Sequence, residues 1–153
     1  MSDYRIDKVR RRVAVTLASG RRIEGDVFLQ VIARFRPGPE HPLDLLNGTE
    51  RFLPVMLDSG EALLVQKSHI ALVSTPLPPD DDAVDHGVVG MHVELTLADG
   101  SAWTGSIFPE VRVDRTRLVD FLNDTPLHFI ALFAPDQLLA VSRRHLSFAR
   151  TVG

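Results

Sequence analysis

Short runs of alternating apolar and polar residues punctuate the chain. Val13, Val15 and Leu17 alternate with Ala14 and Thr16, the period-two pattern of a strand with one face on a core. Ser19-Gly20 follows, a hairpin signal because glycine accepts positive φ without strain. A second strand is predicted at about Ile23–Ile32. Gly25 lies inside it, where a missing side chain permits a bulge or sharp bend. Asp44–Asn47 reads as a short helical turn, Asp and Asn suiting its ends. Strands are then predicted at Phe52–Leu57, Ala62–Gln66 and Ile70–Ser74, the first two separated by the turn residues Asp58-Ser59-Gly60.

The same pattern occurs a second time. Residues 13–28 align with 93–108, and seven of the 16 positions are identical, among them Gly20/Gly100, Gly25/Gly105 and Phe28/Phe108. Further on the offset changes from 80 to 76, so that Asp44 and Asn47 match Asp120 and Asn123, and Lys67 and His69 match Arg143 and His145. The four extra residues fall in Arg34–Pro42, a loop composition that tolerates insertion. The second copy is predicted to carry strands at about 93–97, Trp103–Val113, Phe129–Phe133, Leu138–Ser142 and Leu146–Ala149, with a helical turn around Arg117–Asn123. Each copy thus has five short strands and one helical turn, which predicts a mainly β fold: a tandem duplication of a five-stranded small barrel. The units are 1–73 and 89–153. Between them, 74–88 holds three prolines and four aspartates and reads as a stiff, exposed linker. Its aspartates and His86 are expected to be solvated rather than to hold a metal, since adjacent carboxylates repel.

Composition narrows the function classes. Of 153 residues, 44% are hydrophobic and 24% charged, an ordinary globular mix and too apolar for intrinsic disorder. The absence of cysteine excludes disulfides, zinc-thiolate sites and thiol nucleophiles. The first twelve residues are polar and show no secretion signal, and no run approaches a membrane span, so the expected location is cytoplasmic with no membrane partner. Net charge is −3, divided as +2 over residues 1–73 and −5 over 74–153. Nucleic-acid binders usually concentrate positive charge on one face, so this balance disfavours RNA. The one dense basic run is Arg10-Arg11-Arg12, with Arg21-Arg22 placed near it if the hairpin brings them together.

The spacing Gly20-x4-Gly25 and Gly100-x4-Gly105, each after an alternating strand, resembles the first motif of the Sm-like small barrels. Asp44/Asn47 and Asp120/Asn123 look like that family's Asp and Asn, and Lys67-Ser68 and Arg143-Arg144 are somewhat similar to its late Arg-Gly pair. The chain departs from the pattern in the gaps of 19 and 15 residues from second glycine to Asp, and in lacking the late glycine. SH3-like barrels produce much of the same pattern. The resemblance implies RNA contact by Asn47, Asn123, Lys67 and Arg143. Read from the residues alone, the asparagines cap turns and the basic side chains decorate strand ends.

His69 and His145 hold equivalent positions before the last strand of each copy, suited to a local hydrogen bond or to a ligand contact. No paired carboxylates, Ser/His/Asp arrangement or phosphate loop occurs at an informative spacing, and no cofactor is implied. The expected function is therefore a non-enzymatic protein-interaction or assembly module, binding a protein partner or itself. Phe28 and Phe108, beside Val27 and Ile107, are the expected interface positions. The alternative is an Sm-like RNA- or nucleotide-binding protein.

Overall fold

The computed structural model describes residues 8–30, 40–77, 90–109 and 117–152. The alternating segment builds β1 (Lys8–Leu17), which turns back as β2 (Arg22–Gln30). A short helix, α1 (Pro42–Leu46), leads into β3 (Phe52–Met56) and β4 (Ala62–Gln66). One 3-10 turn (Lys67–His69) then feeds β5 (Ile70–Pro76). The second half follows the same course: β6 (Met91–Leu97), β7 (Ala102–Ile107), α2 (Leu118–Asp124), β8 (Phe129–Phe133), β9 (Gln137–Ser142), a 3-10 turn (Arg143–His145) and β10 (Leu146–Thr151).

All ten strands join one antiparallel sheet in the order β10-β6-β7-β8-β9-β5-β1-β2-β3-β4. The order within each half is the same, with the fifth strand beside the first and the fourth at the far end. The predicted closure of each half into its own barrel is not seen in the hydrogen bonding of the described residues, among which the sheet stays open. β5 pairs with β1 on one side and with β9 of the other half on the second. The physical reason lies in β5 itself. Ile70-Ala71-Leu72-Val73 is apolar at every position and buried throughout, so both its faces need cover, as in a central strand.

Glycine governs two local features. Three hairpin turns end on glycines with positive φ, Gly20 (95°), Gly60 (89°) and Gly100 (90°). In each, the glycine N–H donates to the carbonyl three residues back, as Gly20 does to Leu17 at 2.8 Å. The fourth turn, Ala134–Asp136, is one residue shorter and needs no glycine; Ala134 N–H donates directly to Gln137 O at 3.0 Å. Gly25 and Gly105 act differently, by allowing strands to touch. A Cβ at position 25 would lie 2.5 Å from the Met56 carbonyl oxygen, and one at position 105 would lie 2.6 Å from that of Phe133. There β2 meets β3 through the single pair Asp26–Met56, and β7 meets β8 through Ser106–Phe133. A bulge or sharp bend is the sequence expectation at both glycines; the ladders run through them without a bulge, and what the missing side chain permits is this close crossing.

The two cores exchange side chains. The first contains Val13, Val15, Val27, Leu29, Leu53 and Val55, and also Phe129 and Ala140 from the second half. The second contains Val93, Leu95, Ile107, Ile130 and Leu132, and also Ala71 and Leu72 from the first. A register shift opposite Thr16/Leu17 lets the consecutive residues Ala71 and Leu72 enter the same core, while Ile70 and Val73 enter the other. The same shift recurs at Leu146/Phe148.

Two segments differ from the sequence expectation. Ser74–Pro76, assigned by composition to the linker, extend β5 and pair with Leu139, Leu138 and Gln137. Thr75 is buried there, its hydroxyl donating to Arg12 O at 3.1 Å. Arg21 and Arg22 lie at the hairpin end, away from Arg10–Arg12, which face β2 further along. Arg10 and Arg12 approach Asp26, at 3.7 and 3.8 Å, and Arg12 also binds Asp58 at 2.6 Å. The basic run is thus largely matched by acids. The inserted loop, the acidic linker with His86 and the predicted strand ends at 31–32 and 110–113 lie outside the described residues.

Candidate functional site

Four of the predicted site residues, Asn47, Lys67, Arg143 and His145, gather where the two halves join, at the end of the β5–β9 ladder; Asn123 and His69 do not. α1 starts there from sequence-local causes. Pro42 takes the first helical position, where its missing N–H costs nothing. The Asp44 carboxylate accepts the His41 N–H at 2.8 Å. The helix ends at Asn47, whose backbone N–H donates to Leu43 O at 3.0 Å.

The Asn47 side chain then crosses to the other half. Its Nδ2 donates to the Phe129 carbonyl at 3.0 Å, and its Oδ1 accepts the Phe129 N–H at 2.8 Å. One side-chain amide thereby supplies both bonds that a neighbouring strand residue would. A second polar tie is His145, whose Nε2 lies 2.7 Å from the Ser68 carbonyl. A carbonyl only accepts, so this nitrogen carries the proton. The equivalent residues Asn123 and His69 are exposed and make no side-chain hydrogen bond among the described residues.

Lys67 and Arg143 perform the same task in the two copies. The Lys67 ammonium donates to the Leu45 carbonyl at the end of α1. Arg143 donates from Nη1 to Leu122 O at 2.8 Å, in α2, and from Nε to Leu127 O at 2.7 Å. A cation on the last carbonyls of a helical turn satisfies acceptors that have no partner within the turn. Burial pushes the Lys67 pKa below its ordinary value, against a smaller opposite pull from Glu50.

Around these contacts runs an open groove of about 850 Å³, lined from both halves. Four cations border it, Arg51, Lys67, Arg143 and Arg144, together with His128 and one carboxylate, Glu50. Lys67 and Arg143 are spent on carbonyls. Arg51 and Arg144 are exposed, with no side-chain partner among the described residues. No family model, curated protein or solved structure matches this chain.

Chemically, the groove offers positive charge and hydrogen-bond donors. Among the described residues no three His, Asp or Glu side chains come together to hold a metal ion, and no helix is long and apolar enough to cross a membrane. Phe28 and Phe108 sit elsewhere, each half-buried at the end of the second strand of its copy. Phe28 lies under the Arg10 guanidinium, 5.3 Å from it, and Phe108 packs edge-on against Phe133 with centroids 5.4 Å apart. Their neighbours Val27 and Ile107 are core residues of the two clusters.

The residues that do join the halves, Leu72, Phe129, Ala140 and Val141, were not singled out from the sequence. A signal existed. The unbroken apolar run Ile70–Val73 marks a strand covered on both faces, whereas its counterpart Leu146-Ser147-Phe148-Ala149 is broken by a polar residue.

Proposed function

We propose that this chain is a non-enzymatic assembly module built from two small-barrel-like units of Sm or SH3 type, engaging a protein partner through the open edges of its sheet. The observation that carries this reading is the character of those edges. Among the described residues, β4 and β10 each have one side unpaired, and they expose Leu64 (67%) and Phe148 (61%). An unpaired strand is a template for another strand, and natural proteins usually blunt it with charge or cover. Here the middle of each edge carries a large apolar side chain instead. The β5–β9 joint supports the reading further, since it is an edge-to-edge union of the same kind within one chain.

The test is substitution of the edges by charge. Leu64→Lys and Phe148→Lys are expected to leave circular dichroism unchanged, because both side chains are already in water. Both should abolish association measured by light scattering on a sizing column. Full association by both variants would overturn the reading.

A second reading is favoured by one observation, the unspent cations Arg51 and Arg144 across the groove from each other's half. On that reading the groove takes a single-stranded RNA or nucleotide. It requires excess absorbance at 260 nm over 280 nm in the purified protein. It also requires a binding constant that falls by roughly 0.7 log units per tenfold rise in salt for each phosphate contact, and a shallower slope in the Arg51→Ser, Arg144→Ser double variant. Oligonucleotide binding unaffected by those substitutions would remove it.

A further inference from the structure

The partner of these edges follows from the joint the chain already contains, and the inference rests on the assembly reading above. Superposing the repeat places each half of that joint on a free edge. Leu72, buried to 1% in the joint, corresponds to Phe148, and Ala140, buried to 4%, corresponds to Leu64. Phe129 at 3% exposure corresponds to Phe52 at 49%. Leu43, packed on the first core, corresponds to Val119, which is exposed beside a shallow groove between α2 and β10. Three of the exposed large apolar residues thus stand where the joint buries their counterparts, and a fourth, Val119, stands where Leu43 is partly buried.

The polar ties repeat in the same way. Asn123 lines the groove on the β10 side and is the counterpart of Asn47. Exposed His69, at the β4 end, is the counterpart of His145, which binds across the joint. The β10 side therefore carries one complete half of the joint, and the β4 side carries the other. Sizes are complementary as well: Val73 stands opposite Ala140 in the joint, and the equivalent pair is Ala149 with Leu64, small against large in the reverse order.

We infer that a second copy of this chain docks its β4 against β10, reproducing the β5–β9 joint between molecules. The register is fixed by the repeat. Phe148 pairs with Val65, Ala149 with Leu64, Arg150 with Leu63 and Thr151 with Ala62 of the second copy. Asn123 takes the backbone of Phe52, and His69 takes the carbonyl of Arg144. The contact is heterologous, so its repetition gives a closed ring when the rotation per joint closes and a filament when it does not. Each new joint also builds a second cationic groove, with Arg143 and Arg144 from one copy and Arg51 and Lys67 from the other.

The experiment uses the full chain and its lack of cysteine. Light scattering should give integer multiples of the chain mass, and Leu64→Lys and Phe148→Lys should each be monomeric alone. Mixed one to one, they should form a two-chain particle, because the first keeps an intact β10 edge and the second an intact β4 edge. Misfolding cannot produce that rescue. Oxidation of an Ala149→Cys and Leu64→Cys mixture should give a covalent dimer, and Ala149→Cys with Gln66→Cys should not. A parent chain that stays monomeric at its highest concentration overturns the inference, and so does an absence of rescue or the out-of-register cross-link alone. If that monomer binds a different protein through an edge that Leu64→Lys destroys, the assembly reading survives and only the second copy fails. If the edge variants match the parent in every association, both fail.

Discussion

The side chain of Asn47 is bonded to both backbone polar groups of Phe129, 82 residues further along the chain. Phe129 starts β8 and is buried in the core of the other half. Phe129 is paired with Ser142 of β9 on one side, and on the other, where a neighbouring strand would take its N–H and C=O, Asn47 fills the position with an amide of the same geometry. The contact fixes where α1 sits against the second half, and with it the floor of the cationic groove.

Replacing Asn47 by alanine should therefore cost about 2 kcal/mol or more, since two partly buried backbone groups lose their partners together. Asn47→Asp should also destabilise, because a carboxylate has no donor for the Phe129 carbonyl. Asn123→Ala, at the equivalent but exposed position, should change the stability of the isolated chain by less than about 0.5 kcal/mol. Chemical denaturation of the three variants at low protein concentration checks this, and equal losses at 47 and 123 would contradict the role given to Asn47.

The glycines of the second strands make a different forecast from the glycines of the turns. Gly25→Ala and Gly105→Ala each drive a methyl into a carbonyl oxygen of the neighbouring strand. Backbone cannot swing aside as a long side chain can, so each should cost about 1–3 kcal/mol. At Gly20 and Gly100 a methyl meets nothing within 4 Å, and only the positive φ is strained, a cost of about 1 kcal/mol. Thermal unfolding of the four variants should separate into these two groups.

Much of this was legible along the chain. Period-two alternation, the Ser-Gly and Asp-Gly turns and the internal repeat located ten strands and both helices, and Gly25 and Gly105 stood out as special points inside the second strands, read as a bulge or bend where the structure has a close crossing. What a single copy could not reveal was the joint. β5 and β10 derive from one pattern, and only the substitution of Ala71-Leu72 by Ser147-Phe148 distinguishes a covered strand from an open one. The role of Asn47 was hidden for another reason. An asparagine ending a helical turn reads as a local cap, and its partner is too distant in sequence for any spacing rule to reach.

Asp58 carries a pH signature. Hydrogen bonding from Arg12, then the charge of that guanidinium, holds its carboxyl below the ordinary value of 3.8. A depressed carboxylate stabilises the fold above its unfolded pKa, and the contribution disappears as pH falls through the folded one. The stability difference between the parent and Asp58→Asn should thus shrink on acidification below about pH 4. Carbonyl NMR should show Asp58 titrating below 3.8, as should Asp99, which is held down by the Ser101 hydroxyl and N–H. An ordinary titration of Asp58 would mean that the Arg12 contact is not formed in solution.

Lys67 gives a slope of the same sign in the alkaline range. Partial burial lowers its pKa from the ordinary 10.5, so the folded chain releases this proton before the unfolded chain does. Between those two values the unfolded state binds more protons, and stability rises with pH. Arg143 shows that the same clamp on helix carbonyls can be made by a guanidinium, which does not titrate in this range. Lys67→Arg should accordingly keep α1 in place while removing the slope. The difference in denaturation midpoint between parent and variant, followed from pH 8 to about 10.5, should shift steadily in the parent's favour as the lysine neutralises. Curves that remain parallel across the window would show that Lys67 is as hydrated in the fold as in the unfolded chain, and that its bond to Leu45 is not kept.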